Sequence, residues 1–202
     1  MNQIIGDIID IEWEMFDKVK NVSGRASCQD NKGTFIIMRQ SQFEAWNDEM
    51  LMCYLQDLQN AMTSGRNLLT EKYAYMMEYT VPDEFEKIKD RLPEITAERL
   101  DLAKEITRQH LEWYGEVQRK YPLATGSGRL LYSKDESPEK VSIETYTMGE
   151  LCTYSINTLR AYAAYISRLI AANQNMALMI TENTAKLYGY ASLDEIEQNR
   201  RQ

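Results

Sequence analysis

The sequence is poor in the residues that interrupt helices. Its 202 residues include 9 Gly and 4 Pro, and the apolar residues between them recur mostly at intervals of three or four positions. That interval is the period of an amphipathic helix, whereas a half-buried strand would show strict alternation. The sequence therefore predicts an all-α protein, and a β-sheet is not expected.

Residues that bind metals or form disulfides are also scarce. The chain has one histidine and three cysteines, Cys28, Cys53 and Cys152, which lie far apart and form no CxxC pair. An odd number of widely spaced cysteines disfavours both a disulfide framework and a thiolate zinc site. We expect the thiols to be reduced, and the sequence points to no particular cofactor.

Long apolar runs and an excess of positive charge are both missing. The most apolar stretch, residues 161–172, contains Arg168 and is too short to span a bilayer. The N-terminus has no basic region of the kind found in secretory signals. The chain carries 23 Lys and Arg against 31 Asp and Glu, a formal charge of −8, which argues against binding to nucleic acid or to an anionic membrane. We expect a cytoplasmic protein that binds neither.

The helical periodicity predicts one domain over residues 1–202, a bundle of five to seven helices that ends in a long C-terminal helix. The weakest part of that last helix is 173–175, where asparagine side chains compete for backbone hydrogen bonds and favour a kink or break. Residues 21–33 and 122–140 are rich in turn-forming residues and are predicted to be loops. The predicted helices lie at about 3–20, 34–62, 66–79, 82–91, 94–121 and 142–188, followed by a short terminal helix.

Several ionisable residues fall on the apolar faces of these predicted helices. Advancing by about 100° per residue places each of them among apolar neighbours rather than on a charged face. A lone charge costs several kcal/mol to bury, so inward charges are expected to have partners. One such residue lies on each of five predicted helices: Glu12, Arg39, Lys72, His110 and Glu144.

We expect the bundle to enclose a polar pocket for a small anionic or zwitterionic metabolite, because ligand sites in helical bundles lie between facing helices. Cations would neutralise the ligand, and the other groups would orient it or transfer protons. No catalytic signature is present, so turnover and simple binding both stay open. The predicted ligand-binding residues are Arg25, Arg39, Arg66 and Lys72, and the predicted catalytic residues are Glu12, His110 and Glu144.

Two other chemistries stand as alternatives. A di-metal carboxylate centre needs Glu-x-x-His motifs, which this sequence lacks, but Glu12, His110 and Glu144 could together bind one divalent ion. Cys28 could act as a nucleophile, because Arg25 would stabilise its thiolate and His110 could serve as its base. Either arrangement requires side chains that are distant in the sequence to meet.

The glycine-containing segment 124–129 does not fit a phosphate-binding loop. It lacks the Lys-Ser/Thr ending and the preceding strand that such a loop needs. We interpret it as a hinge or lid in which Arg129 could contact an anion.

A non-enzymatic interaction or scaffold protein is the alternative from a different functional class. In that case the inward charges would be structural ion pairs rather than a ligand site. Tyr146, Tyr154 and Tyr165 lie opposite the main apolar stripe of the predicted last helix. This second face indicates either a central helix covered on both sides or a subunit interface, and we favour a homodimer.

Five runs of the sequence resemble one protein family. The match extends over nearly the whole chain, and the family is the uncharacterised bacterial one known as domain of unknown function 4125. The resemblance implies a bacterial protein of this size, and it transfers no activity, cofactor or catalytic residue. The runs that carry it are 10–16, 25–29, 38–43, 65–74 and 143–146.

Overall fold

The computed structural model describes residues 2–20, 24–126, 128–137 and 140–200. These ranges contain 11 α-helices and no strand, so the predicted all-α class is confirmed. Short 3₁₀ turns lie at Ser27–Asp30, Lys89–Arg91 and Ser133–Asp135. The α-helices are α1 (Gln3–Asp17), α2 (Lys32–Phe43), α3 (Asp48–Thr63), α4 (Leu68–Thr80), α5 (Pro82–Phe85), α6 (Ala97–Lys120), α7 (Pro122–Thr125), α8 (Ile143–Leu151), α9 (Ile156–Ala171), α10 (Met176–Leu187) and α11 (Leu193–Asn199).

Two of the predicted long helices are divided, which raises the helix count above the predicted five to seven. The predicted helix at 34–62 consists of α2 and α3, and the one at 142–188 consists of α8, α9 and α10. The prediction of a long C-terminal helix is therefore wrong. The interruption predicted at 173–175 is confirmed, and Asn173 there has a φ of 54°.

Side-chain caps explain where most of the helices begin. In each case a side-chain oxygen of Asn, Ser or Thr accepts a hydrogen bond from a backbone N–H of the first turn, which stabilises the helix by about 1 kcal/mol. Asn47 and Ser155 form such caps at the starts of α3 and α9, inside regions where the periodicity predicts unbroken helix. The full set of these caps is Asn2, Asn31, Asn47, Asn67, Thr96, Ser142, Ser155, Asn175 and Ser192.

The apolar core brings charged residues from separate helices to one place. Core side chains from every α-helix except α5 and α7 form one cluster, and within the fold α1 packs against α3 while α4 packs against α8. Glu12 on α1 and Lys72 on α4 are 0% and 2% exposed, so the apolar packing carries them inside together. Among the described residues, no helix is long and apolar enough to cross a membrane. The single domain stays a prediction.

Candidate functional site

Glu12 and Arg39 form a buried, bidentate ion pair between α1 and α2. The Nε and Nη2 atoms of Arg39 each donate a hydrogen bond of 2.6 Å to one carboxylate oxygen of Glu12. The hydroxyl of Tyr54 on α3 donates a third bond, also of 2.6 Å, to Oε1 of Glu12. Such parallel charge-assisted bonds are the strongest that side chains make, and here they fix the orientation of the guanidinium group.

Glu150 on α8 joins that pair to a second cation. Its Oε2 accepts a hydrogen bond of 2.5 Å from Nζ of Lys72, and its two oxygens lie 3.1 and 3.3 Å from the guanidinium nitrogens of Arg39. Tyr154 and Gln42 complete the carboxylate shell, donating to Oε1 at 2.7 and 3.1 Å. We call the group of Glu12, Arg39, Lys72 and Glu150 the charge network.

The charge network contains two carboxylates and two cations, so its formal charge is zero. Burial opposes the ionisation of Glu150, but Arg39 and Lys72 outweigh it and hold the pKa of that carboxyl well below its usual range. Burial, followed by the charge of Glu12, raises the pKa of Tyr54 well above its ordinary value, so this phenol stays a hydrogen-bond donor. Since each charge is balanced and hydrogen-bonded, the network meets the conditions under which ions persist in a protein interior.

Tyr146 on α8 lies beside this network and is only partly buried. The ammonium group of Lys72 lies 3.5 Å from the centre of its ring, and the guanidinium carbon of Arg129 lies 4.4 Å from it. Burial raises the pKa of the Tyr146 phenol, but Lys72 overcomes this effect and the pKa is lowered. Arg129 is exposed, and its Nη1 donates to the carbonyl oxygen of Val141 at 3.2 Å.

The structure brings three of the sequence-predicted site residues together and places His110 elsewhere. Glu12, Arg39 and Lys72 belong to the charge network, whereas Nε2 of His110 on α6 lies 2.7 Å from the hydroxyl of Tyr162. Burial lowers the pKa of His110 to about 4, so the imidazole is neutral at pH 7. It lies in an aromatic part of the core.

The other predicted residues each have local partners. Glu144 accepts hydrogen bonds from the backbone and hydroxyl of Ser133, and Cys28 is exposed in a 3₁₀ turn whereas His110 is buried. Arg25 and Arg66 form ion pairs with neighbouring carboxylates. Those pairs are Arg25 with Asp17 and Asp30, at 2.6 and 2.7 Å, and Arg66 with Glu71 at 2.6 Å.

The metal site formed by Glu12, His110 and Glu144 is not assembled in the structure. Within the described part of the chain, no three His, Cys, Asp or Glu side chains are grouped so that they could hold a metal ion. The roles predicted for these three residues as proton-transferring groups stay predictions.

Sequence reasoning missed Glu150, the residue that connects both cations. It lies between Gly149 and Leu151 in a short apolar run, which was a usable signal because a carboxylate in such a run needs a partner. The second face that contains Tyr146 and Tyr154 was interpreted either as one side of a central helix covered on both sides or as a subunit interface. Tyr154 is 0% exposed and bound to Glu150, so it lies in the interior of the chain, and the homodimer stays a prediction.

Residues 2–198 match the model of the family described as "Protein of unknown function (DUF4125)". The chain belongs to this family. No curated protein and no solved structure matches it. The sequence runs that resemble the family are far apart in the chain, yet four of them supply side chains to one place, the charge network and its edge: Glu12, Arg39, Lys72 and Tyr146.

Proposed function

We propose that this protein binds a small anionic molecule at the edge of the charge network, beside Tyr146, with Arg129 as the countercharge. The proposal keeps the ligand class predicted from the sequence and changes the residue that meets its charge. The charge network then positions one side of the site, because it holds Lys72 next to the ring of Tyr146.

The observation that carries the proposal is that the predicted ligand-binding cations are paired with carboxylates, whereas no ion pair of the described residues includes Arg129. Arg25, Arg39, Arg66 and Lys72 each lie within 2.6 Å of a carboxylate oxygen, so each of them already has an anionic partner. Among the ion pairs of the described residues, none includes Arg129, whose guanidinium is exposed over an aromatic ring. A guanidinium that is exposed on one side and stacked on the other presents its donors to an anion in a fixed orientation.

Glu136 is a carboxylate whose pKa is affected by the charge of Arg129. It accepts hydrogen bonds from Ser142. Burial raises the pKa of Glu136, but the hydrogen bonds that it accepts from Ser142 and the charge of Arg129 lower it overall. The backbone N–H of Ser142 donates to Oε1 of Glu136 at 2.8 Å. This carboxylate therefore binds the backbone just before α8 and makes no ion pair with Arg129, whose charge can meet a ligand.

The test is a thermal unfolding screen with small anions, namely inorganic phosphate, glycerol phosphate, citrate, pyruvate and 2-oxoglutarate. A ligand at 100 times its Kd adds about 2.7 kcal/mol, which raises the Tm of a chain of this size by about 5–10 °C. We expect at least one anion to do so for the native chain. The rise should disappear in Arg129→Ala, whose Tm without ligand should be unchanged.

Arg168→Ala is the matched control, because Arg168 is also exposed and also lies over a tyrosine ring, 5.7 Å from the centre of Tyr165. It differs in having a carboxylate partner, Glu49, at 3.1 Å. This variant should keep the full ligand response. A screen in which no anion raises the Tm, or in which both variants lose the response equally, would overturn the proposal.

The scaffold alternative is favoured by one observation, the zero formal charge of the network. Four helices meet through its side chains, and two surface depressions, of about 410 and 320 Å³, lie away from it. Under this alternative the network is purely structural. Replacement of its residues would then lower stability while Arg129→Ala changed neither stability nor any ligand response.

A further inference from the structure

Tyr146 differs from the buried tyrosines that donate to the charge network in the sign of the charges close to its side chain. The hydroxyls of Tyr54 and Tyr154 donate to the carboxylates of Glu12 and Glu150, which keeps these phenols protonated. The ring of Tyr146 instead has an ammonium group at 3.5 Å and a guanidinium group at 4.4 Å. Cations close to a phenol favour its ionised form, because they stabilise the phenolate.

We infer that Tyr146 is a catalytic residue that takes a proton from the bound anion and returns it. The inference rests on the proposed function, since it requires an anion beside Arg129. It deepens that function by naming a substrate class, small oxo acids, and a reaction type, reversible proton abstraction next to a carbonyl.

The chemistry follows from what a phenolate can remove. The phenolate oxygen of Tyr146 forms an O–H bond as a substrate C–H bond breaks, and the electron pair of the C–H bond stays on the substrate as an enolate. A C–H bond next to a carbonyl is acidic enough for such a base, and the carboxylate of an oxo acid supplies the negative charge for Arg129. Return of the proton to carbon restores the phenolate, so no other reactant is consumed.

The groups that face Tyr146 come from four parts of the fold. Lys72 and Tyr73 face it from α4, Arg39 from α2 and Arg129 from the segment before α8, while Glu150 lies one helical turn away on α8 itself. Glu150 alone would disfavour the phenolate. Its charge is offset within the neutral charge network by its bonds to Lys72 and Arg39, so the additional charge of Arg129 makes the surroundings positive on balance.

Lys72 is a positioning residue in this scheme. Its ammonium group is held by Glu150 at 2.5 Å and so cannot swing away from the ring of Tyr146. The phenol of Tyr73 lies close to that of Tyr146. Burial raises the pKa of Tyr73 most, and the negative charge of an ionised Tyr146 raises it further. Tyr73 therefore stays protonated and can donate to the Tyr146 oxygen.

The first experiment measures the ionisation of Tyr146 directly. The chain is labelled with ¹³Cζ-tyrosine, the resonance of Tyr146 is assigned with Tyr146→Phe, and its chemical shift is followed from pH 6 to pH 11. Tyr165 is the matched reference, because it is also partly buried under an arginine but has no lysine over its ring. We expect Tyr146 to ionise at lower pH than Tyr165, and each pH unit between the two midpoints means about tenfold more phenolate at neutral pH. Ionisation of Tyr146 together with or above Tyr165 would overturn the inference.

The second experiment measures proton abstraction. Pyruvate and 2-oxoglutarate are incubated with the protein in D₂O, and loss of the C–H signal next to the carbonyl is followed by ¹H NMR. We expect exchange at least about tenfold faster than with Tyr146→Phe, and Arg129→Gln should slow it while leaving the fold intact. Equal rates for the native chain and Tyr146→Phe would exclude Tyr146 as the base.

The two proposals fail in different ways. If an anion raises the Tm through Arg129 but Tyr146 ionises like Tyr165, the binding function stands and the catalytic inference is wrong. If Tyr146 ionises early but no anion responds to Arg129, the binding function is wrong and the catalytic inference falls with it.

Discussion

His110 is a residue with catalytic chemistry whose side chain lies in the core. Its imidazole packs in the interior against the hydroxyl of Tyr162, which is itself 3.6 Å from Sδ of Met176. Among the residues that the structure describes, no charged group is hydrogen-bonded to it, and burial lowers its pKa to about 4. A histidine in this state cannot be protonated at neutral pH without a cost in stability.

The pH dependence of stability should therefore carry a contribution from His110. In the unfolded chain the imidazole has its ordinary pKa of 6.5, so between pH 6.5 and about pH 4 the unfolded state binds a proton that the folded state does not. The stabilisation is fully present above pH 6.5 and is lost as the pH falls toward 4. The loss amounts to about 3 kcal/mol.

Urea unfolding at pH 7, 6, 5 and 4 checks this expectation, with His110→Gln as the comparison because glutamine can still bond to Tyr162. The variant should be less stable than the native chain at pH 7, and the difference should narrow as the pH falls. Parallel pH profiles for the two chains would contradict it.

The inward residues that could be predicted were those whose direction depends on local geometry. Glu12, Arg39 and Lys72 were found because 100° of rotation per residue places them among apolar neighbours on their own helices. Their partners depend on which helices pack together, and the helical period of one segment does not give that information. Glu150 was missed for that reason, and Glu144, six positions earlier, was expected in its place.

At the scale of the elements, the contact between α4 and α8 positions the candidate site. Gly149 permits this contact, since a Cβ atom there would overlap Cγ of Met76 and lie 2.9 Å from the carbonyl oxygen of Lys72. A carbonyl in a helix cannot move aside as the end of a side chain can. The distance between the two helices therefore depends on the absence of a side chain at this position.

Gly149→Ala should destabilise the protein even though alanine favours helix formation. The helical preference gains about 1 kcal/mol, but the overlap forces α4 and α8 apart, and overpacking of this kind costs about 1–3 kcal/mol. Thermal unfolding should show a lower Tm, and the ¹³Cζ signal of Tyr146 should shift because Lys72 moves.

The control for this change is Gly33→Ala in α2, where the nearest atom to an added Cβ is Oδ1 of Asn31 at 3.8 Å. This variant should be as stable as the native chain or slightly more so. A Gly149→Ala chain that matched it in Tm would show that α4 and α8 are free to separate.

Helix ends were harder to predict than helix faces, for a physical reason. The apolar period continues through 44–47 and 152–155 because the apolar residues of both connections are also buried: Ala45 and Tyr154 are each 0% exposed. Without Gly or Pro, the break shows only in the caps, and Asn47 followed by two acidic residues was the available signal. The segment 173–175 gave a stronger signal because two weak helix formers, Asn173 and Asn175, lie close together.

At the scale of the whole molecule, the charge network joins helices that are far apart in the chain. Glu12 and Glu150 are separated by 138 positions, yet both bond to Arg39, at 2.6 and 3.1 Å. Such a network adds little net stability, because desolvation cancels much of the attraction, but it penalises any packing in which one charge lacks its partner. We expect the network in this way to select one arrangement of the bundle.

This role predicts strong coupling between Lys72 and Glu150. Glu150→Gln leaves the interior with one excess positive charge and Lys72→Met leaves one excess negative charge, so each change should cost about 3–5 kcal/mol. The double variant retains the balanced pair of Glu12 and Arg39 and should cost less than the sum of the single changes by about 1–3 kcal/mol. Urea unfolding of all four chains measures this difference.

The matched cycle uses the exposed pair of Glu98 and Arg160, changed singly and together to Gln, which should couple by less than about 1 kcal/mol. Additive effects in the buried cycle would mean that the network does not act as one unit, and that Lys72 is held beside Tyr146 by packing rather than by charge.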